Sequence, residues 1–483
     1  MVATHREQEV KFETPTGFVL PSPQDLIGRT ARAEGSLVHL ESTYYDTKQF
    51  SLLRYGVTLR RREGDDDTGW HLKVPAGSTR TEITLPLDAG RPVPSRLSGI
   101  VSGIAAGELA PVAIVKTKRQ RVRIFDGERL LLELADDEVA GTALGATATV
   151  TTWHELEVEL GEAEESLLTR VGDRLLDAGA AHANTPSKLA RTLGRSDPTK
   201  SAMSATSDAR GLIAHYLNAQ LLELGSGDIA FRRGLDPVHK SRVAARRFRS
   251  VLRVFRDAWL DPSSANRLNA ELSWYQNLLG EVRDRQVLGR RLADAVHSLP
   301  DTLVLGPVAA AIDEKLVSEQ VVARDALSAA IDSGRYLSLL RATERWATEP
   351  PVRVGVELGD VQRMTTNAQR KAHKRLKKAV ETGSREGLHR ARKASKRARY
   401  ATELTAPVAG KSAAKQVKVY KRVQDALGEH QDSAIAAAAL HRLGAAATGP
   451  DRNGFTFGLL YERERIAAER ARGRARELLA RMP

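Results

Sequence analysis

Cysteine is absent from this 483-residue chain. The chain therefore makes no disulfide, zinc–thiolate site or cysteine nucleophile, and any metal is bound through oxygen or imidazole. No run of about 18 uncharged apolar residues occurs. The polar start, MVATHREQEV, has no apolar signal core, so the sequence predicts a cytoplasmic protein that does not engage membranes. Aromatic residues make up only 5%, which leaves little for base stacking on single strands and ranks nucleic acid below other polyanions as a partner.

What is present suffices for at least two domains at about 100–200 residues each. Hydrophobic residues are 41% and charged residues 28%, a globular balance. The net charge of +14 is uneven. Residues 1–200 hold 25 Lys and Arg against 29 Asp and Glu, whereas the remainder holds 49 against 31. The field that attracts polyanions therefore belongs to the C-terminal part.

Short alternating stretches fill residues 1–160: EQEVKFE, GVTLRRR, GWHLKV, TEITLPL, VRIFDGERLLLEL and WHELEVEL. Period-two alternation with the turns GDDDTG and PAGST predicts an antiparallel meander or barrel, with helices at 22–33 and 163–179. The polar segment 196–206 reads as a linker. From 207 onward the spacing is helical, with breaks at DPSS (261–264), LPDT (299–302), TEPPV (348–352) and TAPVAG (405–410).

The helical half repeats itself. DPVHKSRVAARRFRS matches REGLHRARKASKRARY, pairing His239 with His389, Arg242 with Arg392, Arg246 with Lys396 and Arg249 with Arg399. QNLLGEVRD then matches QDALGEHQD. The spacing predicts two homologous bundles, about 207–345 and 355–483. On a helix His239, Arg242, Arg246, Arg249 and Arg253 share one stripe roughly 21 Å long, with Phe248, Val251, Leu252 and Phe255 on the other side. Such dense like charge repels itself unless a polyanion relieves it, and guanidinium forks suit phosphate oxygens. LGExxD can be a carboxylate metal pair or a partner for arginine, and the second is favoured. These two histidine segments with the LGExxD pair resemble the CHAD family, the conserved-histidine α-helical domain, over about 207–483. The resemblance implies paired four-helix bundles, a basic groove and binding of inorganic polyphosphate.

In the strand half, Glu7, Glu9 and Lys11 share one strand face, opposite Val10 and Phe12, and Glu155, Glu157 and Glu159 repeat the acidic alternation. Arg60 and Arg62 alternate likewise, as do Lys116 and Lys118, and Lys73 follows Trp70 and Leu72. A barrel lined with both signs suits a triphosphate: cations hold its oxygens, while carboxylates hold Mg²⁺ or Mn²⁺. ExExK at 7–11, YYDT at 44–47, GVTLRRR, TKR at 117–119 and EVEL at 157–160 resemble, in that order, the CYTH family of triphosphate tunnel metalloenzymes, over about 3–195. The resemblance implies an eight-stranded antiparallel tunnel. Glu7, Glu9, Glu157 and Glu159 would be metal ligands, and Glu7, Glu9 and Lys11 the catalytic group. Arg60, Arg62, Lys73, Lys116 and Lys118 would hold phosphates. Arg119, Arg121 and Arg123 form a competing basic face on the same strand, which sequence does not choose between. Lys188 in PSKLAR closes one tunnel end or is a surface lysine.

The expected fold is thus multi-domain α+β: an N-terminal antiparallel tunnel or barrel with flanking helices over 3–195 and duplicated all-α bundles over 207–483. The expected function is metal-dependent hydrolysis of inorganic triphosphate in the tunnel, with the basic module binding polyphosphate and bringing the enzyme to polyphosphate granules. The alternatives are a non-catalytic polyphosphate-granule scaffold, or nucleic-acid binding through the basic helices.

Overall fold

Alternation of charged and apolar residues builds the N-terminal half. The computed structural model describes residues 3–15, 17–27, 31–64, 67–77, 79–87, 92–145, 147–185, 187–195, 207–447 and 453–480, with side chains from residue 8 onward. The linker expected at 196–206 lies outside the described residues. The chain divides into two compact units, residues 1–203 with 228–233 and residues 204–227 with 234–483.

The first unit holds strands β1 (Ala3–Glu7), β2 (Glu9–Glu13), β3 (Arg32–Asp46), β4 (Thr58–Glu63), β5 (Gly69–Ala76), β6 (Thr79–Leu85), β7 (Ala110–Asp126), β8 (Arg129–Ala143), β9 (Thr149–Leu160) and β10 (Ala181–His182). Five short helices accompany them: α1 (Pro23–Ile27), α2 (Ser51–Arg54), α3 (Ser95–Val101), α4 (Glu165–Asp177) and α5 (Lys188–Thr192). One antiparallel sheet runs β1-β6-β5-β4-β3-β7-β8-β9-β2-β10. There are ten strands among the described residues, where eight were expected. The first is divided at Gln8 and the two-residue β10 is an addition at the edge. Strand pairing does not close the sheet into a ring. Instead β1 pairs with β6 and β2 with β9, so one N-terminal segment serves strands near both ends of the ladder.

The sheet is apolar outside and charged inside on its β7-β8-β9-β2 wall. Phe12, Ile124, Leu132, Leu134, Leu156 and Val158 are buried against Leu167, Leu168, Val171 and Leu175 of α4. Because successive strand residues face opposite ways, burying Leu156 and Val158 outside commits Glu155, Glu157 and Glu159 to the inside. Helix α1 is shorter than the expected 22–33, because the 15-residue strand β3 already begins at Arg32 and pairs with β7 along its whole length.

The second unit is helical: α6 (Ala209–Arg232), α7 (Val238–Val254), α8 (Pro262–His297), α9 (Val308–Ile331), α10 (Gly334–Thr348), α11 (Leu358–Thr382), α12 (Arg385–Ala409), α13 (Lys411–Ala446) and α14 (Phe455–Ala480). The repeat is visible in element lengths, since α8 and α13 each run 36 residues and each follows a histidine helix. Asp261 caps α8 by accepting from the Ser263 and Ser264 amides. The break expected within TAPVAG falls at its end: α12 continues through Pro407 and stops at Gly410, whose φ of 68° a side chain would strain.

The YYDT segment ends β3 and fixes α2. The buried Asp46 carboxylate accepts from the amides of Thr47 at 2.7 Å, Leu52 at 2.9 Å and Leu53 at 2.9 Å. Asp46→Ala leaves three buried donors unmet and is expected to cost about 2–4 kcal/mol. Urea unfolding followed by a strand-unit probe checks this, with Asp46→Asn expected to lose less.

Candidate functional sites

A charged cavity of about 360 Å³ lies inside the strand unit. Its acidic wall comes from β2, β8 and β9: Glu9, Glu133, Glu157 and Glu159. Its basic wall comes from β4 to β7: Arg60, Arg62, Lys73, Arg80, Arg119, Arg121 and Arg123. Register brings the acidic residues together, with Glu9 opposite Glu159 and Lys11 opposite Glu157. Glu7 ends β1 opposite Arg80, but its side chain lies outside the described residues.

Charges of opposite sign interlock at the acidic wall. Lys11 pairs with Glu157 and lies 3.3 Å from Glu9. Arg119 grips both oxygens of Asp137 at 2.7 Å and reaches Glu157 at 3.0 Å. Burial opposes the charge on Glu157, but Lys11, Lys188 and Arg119 outweigh it and hold the carboxyl well below its usual range. On the opposite wall Glu82 lies 3.0 Å from His71 Nδ1, 3.6 Å from Arg60 and 3.7 Å from Lys73. Burial raises the Tyr44 pKa, yet Arg60 and Arg62 beside the phenol bring it below its ordinary value.

Lys116 and Lys118 do not line this cavity. Odd-numbered residues of β7 face inward, so the two lysines face out, with side chains 70% and 54% exposed, beside Glu41 and Glu138. Arg119, Arg121 and Arg123 take the inner positions. Lys188 is buried in the cavity lining and is not a surface lysine. Only 6% exposed, it reaches Asp137 at 2.9 Å, Glu155 at 2.6 Å and Glu157 at 2.8 Å. Burial lowers its pKa, and those three carboxylates more than reverse the effect. Helix α5 carries Lys188 so close to β8 that a Cβ on Gly141 would collide with Thr192.

Asp137, Glu155 and Glu157 offer oxygens within 4.8 Å of one another and can hold a metal ion. The all-oxygen donor set fits a hard divalent cation. An ion there would take the place of the Lys188 ammonium, one cation for another. Sequence reasoning did not single out Arg80, Glu82, Glu133 or Asp137, although the alternations RTE at 80–82 and ELADD at 133–137 carry their signal.

In the helical unit α7 packs against α12, bringing Arg242, Arg246, Arg392 and Lys396 together. Arg242 donates to Asp284 at 2.7 Å, Arg392 to Gln431 at 2.6 Å and Arg246 to the Tyr400 hydroxyl at 3.1 Å. Arg249 is held by Asn269 and Gln276, and Arg399 by Glu403. Each LGExxD glycine is a seat for an arginine: a Cβ on Gly280 would lie 3.5 Å from Arg242, and one on Gly428 3.1 Å from Arg392. Asp284 and Glu429 of the same segments pair with Arg242 and Arg291. The histidines flank the cluster. Burial lowers both pKa values, joined by Arg283, Arg246 and Arg242 at His239 and by Lys393, Arg392 and Lys396 at His389, where a Gln431 hydrogen bond opposes the shift.

Lys396 has no hydrogen-bond or ion-pair partner among the described residues. Burial, then Arg246, Arg392 and Arg242, push its pKa down to about 6 from 10.5, with Asp432 opposing. Below about 6 both folded and unfolded lysine are protonated, and above 10.5 both are neutral. Between those limits the unfolded chain holds the extra proton, so stability rises with pH. Urea midpoints of the helical unit at pH 6.5 and pH 9 are expected to show this rise, flattened in Lys396→Met.

Family comparison agrees with this division of the chain. Residues 5–193 match the model of the CYTH domain and residues 215–441 that of the CHAD domain. Two Mycobacterium tuberculosis proteins, the uncharacterized proteins MT2285 and Rv2226, are each 34% identical over 502 residues, covering 97% of this chain and 95% of theirs. Among solved structures, PptA from Streptomyces chartreusis is 22% identical with a TM-score of 0.49, covering 56% of this chain and 99% of that one. The CHAD domain from the plant Ricinus communis is 24% identical with a TM-score of 0.41, covering 56% and 91%. HpAC1 from Hippeastrum, an adenylyl cyclase candidate described as revealing a dominant triphosphatase activity, is 17% identical with a TM-score of 0.25, covering 39% and 96%. The chain belongs to the proteins in which a CYTH domain is followed by a CHAD domain.

Proposed function

We propose that the strand unit hydrolyses inorganic triphosphate with Mg²⁺ or Mn²⁺, and that the helical unit binds inorganic polyphosphate. The observation that carries the first part is the cavity with cationic and carboxylate walls facing each other. A triphosphate has several negative charges in a row, and no apolar lining or aromatic platform is needed to hold it. Arg60, Arg62, Lys73 and Arg80 offer donors to phosphate oxygens from one side, and Arg119, Arg121 and Arg123 from β7. Glu9, Glu157 and Glu159, with Glu7, would hold the metal ion, next to the Asp137, Glu155 and Glu157 oxygens that can also take one.

Such a metal, when bound, neutralises phosphate charge and polarises the phosphoryl group. The protein's own groups supply the rest. Lys11, between Glu9 and Glu157, fixes the acidic wall and keeps its carboxylates ionised. Arg119, clamped by Asp137, holds its guanidinium in one orientation toward the substrate. Water attacks the terminal phosphorus, the anhydride bond to the bridging oxygen breaks, and phosphate, pyrophosphate and a proton leave.

The polyphosphate reading rests on Arg242, Arg246 and Arg392, where cations from both repeats meet without enough carboxylate to neutralise them, beside Lys396, whose protonation a bound anion would favour. This cluster prefers an anion with closely spaced charges. Together the readings make the helical unit the part that brings the enzyme to a phosphate store.

In a phosphate-release assay with Mg²⁺ or Mn²⁺, Glu9→Gln/Glu157→Gln is expected to lower kcat by roughly 10²–10³-fold. Lys116→Ala/Lys118→Ala is expected to stay within about twofold, because neither side chain faces the cavity. Equal rates in wild type and the double glutamine variant would overturn the catalytic reading.

A further inference from the structure

The histidine helices of the two repeats match at positions 150 apart: Arg242 with Arg392, Arg246 with Lys396, Arg247 with Arg397 and Arg249 with Arg399. One turn later the match fails in charge. Arg253 of α7 stands where α12 has Glu403.

This single reversal gives the two flanks of the α7–α12 packing unequal positive charge. On one flank Glu403 offsets part of the positive charge of Arg247 and Arg399. It lies 3.1 Å from Arg247 Nε and 3.2 Å from Arg399 Nε, and accepts from the Tyr216 hydroxyl at 3.1 Å. On the other flank the counterparts Arg397 and Arg249 face Arg253 instead, and Arg375 of α11 joins them. Among the described residues none of these four arginines has a carboxylate within ion-pair distance. Arg249 is held only by the neutral amides of Asn269 and Gln276.

A solvated arginine face needs no counter-ion, but these groups are not fully solvated. Arg249 and Arg397 are half-buried, and burial followed by repulsion from Arg253 lowers each to about 10, with Arg375 adding to the effect at Arg397. Like charges brought together while losing water are stabilised by an anion from outside. Arg253 itself is exposed, so such an anion has open access.

We propose that the anion path of the helical unit is one-sided: a phosphate chain seated on the central cluster continues over Arg253 and Arg397 and is turned away on the opposite flank by Glu403. The proposal rests on the polyphosphate reading and adds a direction to it. It also implies that short chains, satisfied by the central cluster alone, depend little on Arg253, whereas long chains depend on it strongly.

The test is equilibrium binding of polyphosphate to the full chain over a salt series, with chains of roughly 10 and roughly 100 phosphates. Arg253→Glu and the milder Arg253→Gln are surface changes whose folding is checked by circular dichroism. The expected result for Arg253→Glu is a loss of about tenfold or more for long chains, with the log–log salt slope reduced by about 1–2, and a smaller loss for short chains. Glu403→Gln is expected to shift long-chain affinity and slope upward. If both Arg253 variants bind long chains within about twofold of wild type at an unchanged slope while Arg246→Glu loses binding, the one-sided path is wrong and the polyphosphate reading stands. If the wild type binds no polyphosphate, or if duplex DNA at equal charge and matched salt displaces it freely, the reading beneath the proposal fails.

Discussion

Burying carboxylates on the inner face of a sheet forces the fold to bring cations to meet them. An isolated charge in such a place costs several kcal/mol, and removing one member of a buried pair leaves the other uncompensated. The Glu155, Glu157 and Asp137 cluster is met by Lys188, Lys11 and Arg119 from three separate segments. Lys188 of α5 meets Asp137 of β8 for that reason, alongside the apolar packing of Leu189 and Ala190. The charged groups of the cavity therefore hold one another in place.

Much of this was legible in the sequence because strands translate alternation into facing. Glu9 and Lys11 against Val10 and Phe12, and Glu157 and Glu159 against Leu156 and Val158, told which residues share a wall. Strand β7 was the exception. Its run KTKRQRVR is basic on both faces, so alternation alone gave no preference, and only the pairing of Lys116 with Glu41 and Lys118 with Glu138 on the outer side decides it. Arg80, Glu82 and Asp137 sit in strands from which sequence singles out no site residue. Their meaning came from the register that carries them across to Arg60 and Arg119.

In the helical unit the repeat was legible at the level of residues, and LGExxD acquired a role as the seat and tether of the groove arginines. What sequence did not reveal was the effect of imperfect repetition. A duplicated bundle with identical halves would have presented the same charge on each flank. Arg253 and Glu403 make the halves unlike, and on the proposed path the same scaffold gains a preferred side for an anion. The charged cavity and the basic helices thus use one principle in two ways. Carboxylates and cations interlock inside the cavity, whereas on the helices cations are left in excess.

The most direct test of the chemistry proposed for the strand unit is phosphorus NMR of inorganic triphosphate incubated with the full chain and Mg²⁺ or Mn²⁺. The account predicts that the triphosphate resonances disappear and that one phosphate and one pyrophosphate appear per molecule consumed. Triphosphate resonances unchanged by the protein in the presence of either metal would contradict it.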